Sequence, residues 1–398
     1  MVIFRIQLTI MMALIIPYLI NLKNFSIGVD NLNLSVYNLS RNLIKLSQLM
    51  SKSLSNKAKS DVTLKDIAEV VGKSVAAVSR ALNDYDDISP DTRTHIKQVA
   101  HEMGYTPNLS ARRLQKRTTD TIGLILPVLL PRNADPFYSE ILAGVTNEST
   151  QQGFDVLVAT HVNGSDENEM YHRLIDRHRA DGMIIVRPRW HDERIAMMAQ
   201  RQFPHVVVGK PEFDDEVLSI TDDVVEGATI LVNHLIVQGH KRIGVVNTPT
   251  NLVSSAQFLV GFKNAMLQAG LEIDKDLIET SNFTPKGGYR AGQLLLSKPE
   301  PPTAIIVADD IPALGVMAAA QDQGLEIGHD LAVTGYGNAL LAEHAQPPLT
   351  TIQRSTYNFA GQACKMLIAK LKGKDVEDPP MVKPSLIIRQ SSDLALWL

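Results

Sequence analysis

At 398 residues the chain is long enough for two or three domains with cores of their own. Its composition, 44% hydrophobic and 21% charged, is that of a globular protein, and a formal net charge of −4 excludes a chain-wide basic footprint, so affinity for a polyanion has to be local. The single cysteine, Cys364, excludes a disulfide framework and a multi-thiolate metal site, suits a reducing cytoplasm, and reads as buried filler on a helix.

The first 60 residues differ from the rest and are read as an N-terminal extension, 1–60. Residues 6–22, IQLTIMMALIIPYLINL, form an apolar run between Arg5 and Lys23 with the flavour of a signal sequence or membrane anchor. Pro17 and Asn21 interrupt it, no small-residue cleavage pattern follows, and residues 24–60 are rich in Asn, Ser and Lys. Three readings stay open: translation that begins near Met50 and leaves a polar arm, SKSLSNKAKS; a poorly ordered tail; and a membrane anchor.

From Thr63 the pattern turns helical. Thr63 followed by Asp66 predicts a capping box, and Leu64, Ile67, Ala68 and Val71 recur at helical spacing up to Gly72. Ser74 caps a second predicted helix, SVAAVSRALN, with Val78 and Leu82 facing inward. A third starts after Ser89, with Pro90 at its first position and Ile96, Val99 and Met103 on its inner face. Two short helices joined by a glycine-containing turn have helix-turn-helix geometry, in which the second helix enters the DNA major groove by its N-terminus.

The run VTLKDIAEVVGKSVAAVSRALN, followed by ISPDTRTHIKQVAHEMGYTPNLSARRLQKRTTDTIGLILP, resembles the head, hinge and first strand of the lactose-repressor (LacI/GalR) family, and the resemblance extends to about residue 395. It implies a ligand-controlled DNA-binding transcription regulator, a repressor in expectation. Its parts are an all-α helix-turn-helix head at 61–107, a hinge helix and linker at 108–120, and an α/β two-lobed periplasmic-binding-protein-like sensor domain at 121–398. By position Val75 and Ala76 stand at the start of the recognition helix, where they offer only apolar contact, for instance to a thymine methyl. Arg80 is the one residue of that helix able to pair bidentately with guanine, the alternative being a phosphate contact. Lys73, Ser74, Ser79 and Asn83 are phosphate-positioning candidates. Asn108 and Arg112 fall in the hinge, and Leu114 falls where the family wedges a leucine into the minor groove. Residues 61–120 hold nine Lys or Arg and nine Asp or Glu, so Arg112, Arg113, Lys116 and Arg117 of the hinge, with Lys52, Lys57 and Lys59, have to carry the positive charge.

Beyond the hinge, apolar strands and amphipathic helices alternate in two sets. The first comprises TIGLILP, FDVLVAT, DGMIIVR and HVVVG with helices from Tyr138, Asp166 and His191; the second has helices from Val224, Leu252, Gly287 and Ile311 around KRIGVV, LIETSNF, TAIIVAD and LAVTGY. Such alternation predicts two parallel-sheet lobes that bind a ligand beyond the carboxyl ends of the strands. The resemblance then nominates Asp135, Phe137, Val186, Arg187, Gly209 and Lys210 from the first lobe, and Phe258, Phe283, Asp309 and Gly337 from the second. Phe283 stands where relatives stack an aromatic ring on the ligand, and Asp309 where they accept from its hydroxyls. Three positions depart from the pattern. Phe258 replaces an Arg three residues before the Gly261-Phe262 pair, Gly337 replaces an Asp, and Gly209 stands where some members have Asp. The remaining cations Arg187, Arg189 and Lys210 and the ring surfaces of Phe258, Phe283 and Trp190 suit a sugar stacked on rings, such as an oligosaccharide or α-glucoside.

No catalytic residue, cofactor or metal is expected, since the strand TIGLILP is followed by VLLPRNADPF and lacks a dinucleotide fingerprint. A secreted sugar-binding protein is the rival reading, favoured by the fold and the apolar N-terminus and opposed by the head. A head reads only a half-site, so a cytoplasmic homodimer on a near-palindromic operator is expected, without membrane attachment. The end of the chain, SSDLALWL, carries no heptad run, so a coiled-coil tetramer is not expected.

Overall fold

A computed structural model of the chain describes residues 62–105, 118–127, 135–161, 167–212, 217–377, 379–393 and 395, which fall into two compact units. The first is a small head of three helices, α1 (Leu64–Val71), α2 (Val75–Leu82) and α3 (Pro90–Glu102). Thr63 and Asp66 cap α1 reciprocally, the Thr63 amide donating to Asp66 Oδ2 at 2.8 Å and the Asp66 amide to Thr63 Oγ1 at 3.4 Å. Gly72 ends α1 in the left-handed region at φ 64°, a conformation that glycine reaches without steric cost, and the chain turns directly into α2. Ser74 caps α2 by accepting from the Ala77 amide at 3.2 Å. Ser89 precedes α3 without a side-chain cap; its hydroxyl donates to Thr92 Oγ1 at 2.8 Å, and Pro90 supplies the preset backbone of the first turn. Ile67, Val78, Ala81 and Ile96 are fully buried at the centre, with Leu64, Val71, Leu82, Val99 and Met103 packed around them. Each buried isoleucine or valine contributes about 2 kcal/mol of transfer free energy, so this small unit rests on a few side chains.

The second unit is two-lobed. One lobe carries a five-stranded sheet in the order β2-β1-β3-β4-β5, formed by β1 (Thr121–Pro127), β2 (Asp155–His161), β3 (Gly182–Val186), β4 (His205–Val208) and β5 (Ser219–Ile220). Every pairing in it is parallel. Helices α4 (Pro136–Gln152), α5 (Glu167–Asp176) and α6 (Glu193–Gln200) connect its strands. The central strand β3 and its neighbour β4 are buried throughout, which is why they read as unbroken apolar runs, whereas the edge strand β2 alternates.

The other lobe has six strands in the order β11-β10-β9-β8-β6-β7, formed by β6 (Ile243–Asn247), β7 (Ile278–Thr280), β8 (Ala304–Val307), β9 (Ala332–Gly337), β10 (Thr350–Gln353) and β11 (Ser385–Ile387). It is wrapped by α7 (Val224–Val237), α8 (Val253–Gln268), α9 (Pro285–Leu296), α10 (Asp310–Asp322) and the short α11 (Leu340–Glu343). The pairings are parallel except at one edge, where β11 runs antiparallel to β10. That departs from two purely parallel lobes. The cause is the path of the chain, because after β10 it crosses to the first lobe, builds α12 (Thr356–Leu371), and returns to pair at an open edge.

Helix α12 lies along α4 and against β3, β4 and β5, so the last long helix completes the first lobe's core with Phe359, Ala360, Ala363, Cys364 and Leu367. Cys364 is fully buried on this helix, as expected from sequence, and burial pushes its thiol up to about 12. Three connections thus join the lobes, and the first and last are bridged where Asp222 pairs with Val382. Among the described residues no helix is long and apolar enough to cross a membrane; the N-terminal extension lies outside them.

Candidate functional site

On the head, Lys73, Ser74, Val75, Ala76, Arg80 and Asn83 are exposed and Ser79 is half-buried, all at the start of α2 or on the side of it away from Val78 and Ala81. The helix period places them so: anchoring Val78 and Ala81 in the core turns positions 75, 76, 79, 80 and 83 outward. Ser79 and Asn83 are tied together, the Asn83 amide nitrogen donating to the Ser79 carbonyl at 2.8 Å. Arg80 is held by Asp87, Nη1 to Oδ2 at 2.7 Å, with the two side chains 57% and 50% exposed. A pair this wet is worth a fraction of a kcal/mol to about 1 kcal/mol, so a guanine or a phosphate can compete for the guanidinium. Asp87 did not figure in the sequence reading, since no local pattern ties a loop acid to an arginine seven residues earlier. Arg93 of α3 donates to the Tyr85 and Ile88 carbonyls, at 2.7 and 3.3 Å, and so fixes the loop that carries Asp87. The hinge candidates Asn108, Arg112 and Leu114 lie outside the described residues.

In the two-lobed unit the strand ends meet at a cavity of about 740 Å³, counted to include open solvent at its mouth. Phe137, Arg187, Gly209, Lys210, Phe258, Phe283 and Asp309 line it, seven of the ten ligand candidates. Asp135 is buried behind Arg187 and lines an adjoining cleft together with Phe137, Asp309 and Gly337, whereas Val186, buried at the end of β3, lines neither. Phe137 opens α4, Arg187 follows β3, and Lys210 follows β4; from the other lobe Phe283 follows β7 and Asp309 follows β8. All therefore lie at carboxyl ends of parallel strands.

Arg187 is the centre of this arrangement. Its backbone is left-handed at φ 51°, unusual for a side chain that long, and its side chain is only 13% exposed. The guanidinium lies 3.6 Å from the centroid of Phe283, 4.3 Å from Phe137 and 4.8 Å from Tyr138, with Nη2 2.6 Å from Asp135 Oδ2. The expected stacking ring, Phe283, is thus already in contact with a cation from the opposite lobe. The strained turn is braced from behind by Arg194, 3% exposed, whose Nη2 donates to the carbonyl of Arg187 at 3.2 Å and to that of Val186 at 3.5 Å. Arg194 is itself fixed by a two-point pair with Asp192, Nε to Oδ1 at 2.8 Å and Nη2 to Oδ2 at 2.7 Å, and by Glu167 at 3.3 Å.

Asp309 caps α10, accepting from the Ile311 amide at 3.0 Å. Burial, and then the nearby charge of Asp135, push its carboxyl up to about 7. Near neutral pH it can therefore donate as well as accept, a wider role than the acceptor expected from sequence. Its neighbour Asp310 is deeper, accepting from Thr351 Oγ1 at 2.6 Å and the Ala339 amide at 2.7 Å, and supports the ends of β9 and β10. Phe258 is 1% exposed and meets Tyr336 edge-on at 6.0 Å, so it forms wall and offers a ligand no open ring face. Arg189 pairs with Glu167 at 2.8 Å, Trp190 is exposed, and neither is among the lining residues.

Among the lining residues not nominated from sequence are the polar side chains of Asp222, Thr248, Ser254, Gln257, Tyr336 and Arg354. The Tyr336 hydroxyl donates to Asp222 Oδ2 at 2.7 Å, and Arg354 Nη2 lies 3.4 Å from Asp222 Oδ1. The Arg354 guanidinium looks onto the same Phe137 ring as Arg187, at 5.9 Å. A signal for it existed: TTIQ is a β-branched run, and the residue after a parallel strand's carboxyl end belongs to the cleft.

Compared with known proteins, residues 63–108 match the model described as bacterial regulatory proteins, lacI family, and residues 232–392 match a periplasmic binding protein-like domain. The HTH-type transcriptional repressor CytR of Escherichia coli strain K12 is 32% identical over 342 residues, 85% of this chain and 98% of that one. Among solved structures, a CelR regulator in complex with cellobiose is 29% identical with a TM-score of 0.65, over 83% of this chain and all of that one. A lac repressor dimer bound to operator and the anti-inducer ONPF is 27% identical with a TM-score of 0.72, over 84% and 99%. Relatives of this length that carry both the head and the two lobes also set aside the rival reading of a secreted binding protein. The chain belongs to the lacI family of bacterial regulatory proteins, and is a DNA-binding transcription regulator controlled by a ligand.

Proposed function

We propose that the protein is a cytoplasmic, non-catalytic repressor that binds a near-palindromic operator as a homodimer and answers to a sugar held between its two lobes. The observation that carries this reading is the cavity in which rings and guanidiniums from both lobes converge. A ligand touching Arg187 and Phe137 on one side and Phe283 and Asp309 on the other favours one arrangement of the lobes over others. Ligand and operator affinities are then coupled reciprocally. The relatives crystallised with cellobiose and with operator support the two halves of the proposal. Lys73, Ser74, Val75, Ala76, Ser79, Arg80 and Asn83 are proposed as the major-groove and phosphate contacts. Asn108, Arg112 and Leu114 are proposed to contact the minor groove.

The test is a mobility-shift titration on the DNA upstream of the protein's own gene, with and without a panel of mono- and disaccharides. Specific retention altered by a sugar is expected. Phe283→Ala should keep the retention and lose the response. No sequence-specific retention, or a Phe283→Ala protein that responds like the parent, would refute the assignment.

A further inference from the structure

We infer that the ligand is an acidic sugar, whose carboxylate or phosphate group is gripped between the guanidiniums of Arg187 and Arg354; this rests on reading the cavity as the ligand site. The two side chains come from different segments, one after β3 and one after β10, and are 13% and 23% exposed. They share the Phe137 ring, at 4.3 and 5.9 Å. Two such cations in one sheltered cleft repel each other, and each has one carboxylate oxygen within ion-pair distance.

The balance of donors and acceptors points the same way. A guanidinium has five N–H donors in a planar fork. Arg187 Nη2 is enclosed against Asp135 Oδ2 at 2.6 Å, which leaves the other N–H groups of its fork for a ligand. Of the six carboxylate oxygens of Asp135, Asp222 and Asp309, four are engaged, whereas Thr248, Ser254 and Gln257 line the cavity with neutral polar groups that suit the hydroxyls of the same molecule. Asp222 receives Tyr336 on one oxygen and Arg354 on the other, Asp309 Oδ1 receives the Ile311 amide, and Asp135 Oδ1 receives the Phe137 amide at 3.0 Å. A neutral sugar presents hydroxyls that need acceptors as well as donors. A carboxylate or phosphate brings acceptors only, and matches the fork geometry of two arginines. The raised pKa of Asp309 is consistent with this, because a neutral acid at the site adds no charge to repel an anion.

The experiment is a thermal-shift titration at fixed ionic strength with D-glucose, cellobiose, D-glucuronate, glucose 6-phosphate and inorganic phosphate. At least one acidic sugar should raise Tm by about 5 °C at saturation where its neutral counterpart does not. Whether glucuronate or glucose 6-phosphate responds separates carboxylate from phosphate recognition. Arg354→Gln should abolish the shift, and Arg354→Lys, which keeps the charge without the fork and serves if the first variant does not fold, should weaken it roughly tenfold. The inference is overturned if the neutral sugars shift Tm as much as the acidic ones, if no anion in the set shifts it, or if both Arg354 variants bind as the parent does. An acid response that survives Phe283→Ala unchanged would instead overturn the reading of the cavity on which the inference rests.

Discussion

Replacing Arg194 by alanine tests whether the left-handed turn at Arg187 depends on the brace behind it. The side chain is sheltered as well as that of its partner Asp192, so alanine leaves Asp192 as a sheltered carboxylate without its cation, while Glu167 keeps Arg189. Breaking a buried pair from one side costs about 3–5 kcal/mol. In a unit the size of the two-lobed domain each kcal/mol moves Tm by roughly 2–4 °C, so a fall of roughly 10 °C is expected in a calorimetric scan. The pH dependence carries its own sign. In the parent, burial raises the Asp192 carboxyl, but the hydrogen bonds and charge of Arg194 outweigh it and hold the group below its ordinary value. A depressed folded-state pKa is stability present above the unfolded value, near 4, and lost as pH falls through the folded one. Without Arg194 the same carboxyl titrates upward, so the deficit of the variant should shrink as pH is lowered from 7 toward 4. Ligand response should fall together with stability, because the Val186 and Arg187 carbonyls lose their common donor. A variant that melts with the parent at pH 7, or whose deficit ignores pH, would refute the brace.

Three further outcomes follow from the same geometry. Asp309→Asn keeps the cap on α10 and removes a group whose folded pKa, about 7, lies above its unfolded one near 4; a raised pKa costs stability as pH climbs between those values, so the variant's Tm should gain on the parent's between pH 4 and 7, and parallel curves would refute the shift. Gly288→Ala should destabilise by about 1–3 kcal/mol in denaturant titration, although alanine is the better helix former, because its Cβ would run into the Pro312 carbonyl where α9 and α10 pack closely; a gain in stability would show that the helices can part. Arg80→Ala should cost about 1–3 kcal/mol on the operator and flatten the preference at one base pair, whereas a uniform loss over all DNA with a shallower salt slope would assign the residue to phosphate.

Much of the candidate site was legible because its residues sit at predictable places on regular elements. Phe137, Arg187, Lys210, Phe283 and Asp309 each follow a strand that the apolar runs announced, and all five line the cavity. Arg354 escaped because β10 is only four residues long and was not read as a strand. Phe258 lines the cavity, but whether an aromatic shows its face or its edge depends on what packs beside it, here Tyr336 from a strand nearly eighty residues later. Asp309 was expected as an acceptor; its protonation depends on burial and on Asp135, neither of which is encoded near it.

The sequence by itself determined what local physics controls. The reciprocal Thr63–Asp66 cap, the stop at Gly72, the cap at Ser74 and the inward stripe of Ile67, Val78 and Ile96 specify the head within a few turns of helix. Unbroken apolar runs likewise announced the buried parallel strands. Tertiary structure alone decided that α12 leaves the second lobe to complete the first, that β11 returns antiparallel, and that Arg187 lies between Asp135 and Phe283. Those outcomes join residues about thirty to more than two hundred positions apart. Side-chain periodicity reports which face of an element is buried, but it holds no information about which distant surface buries it, or which charge waits there.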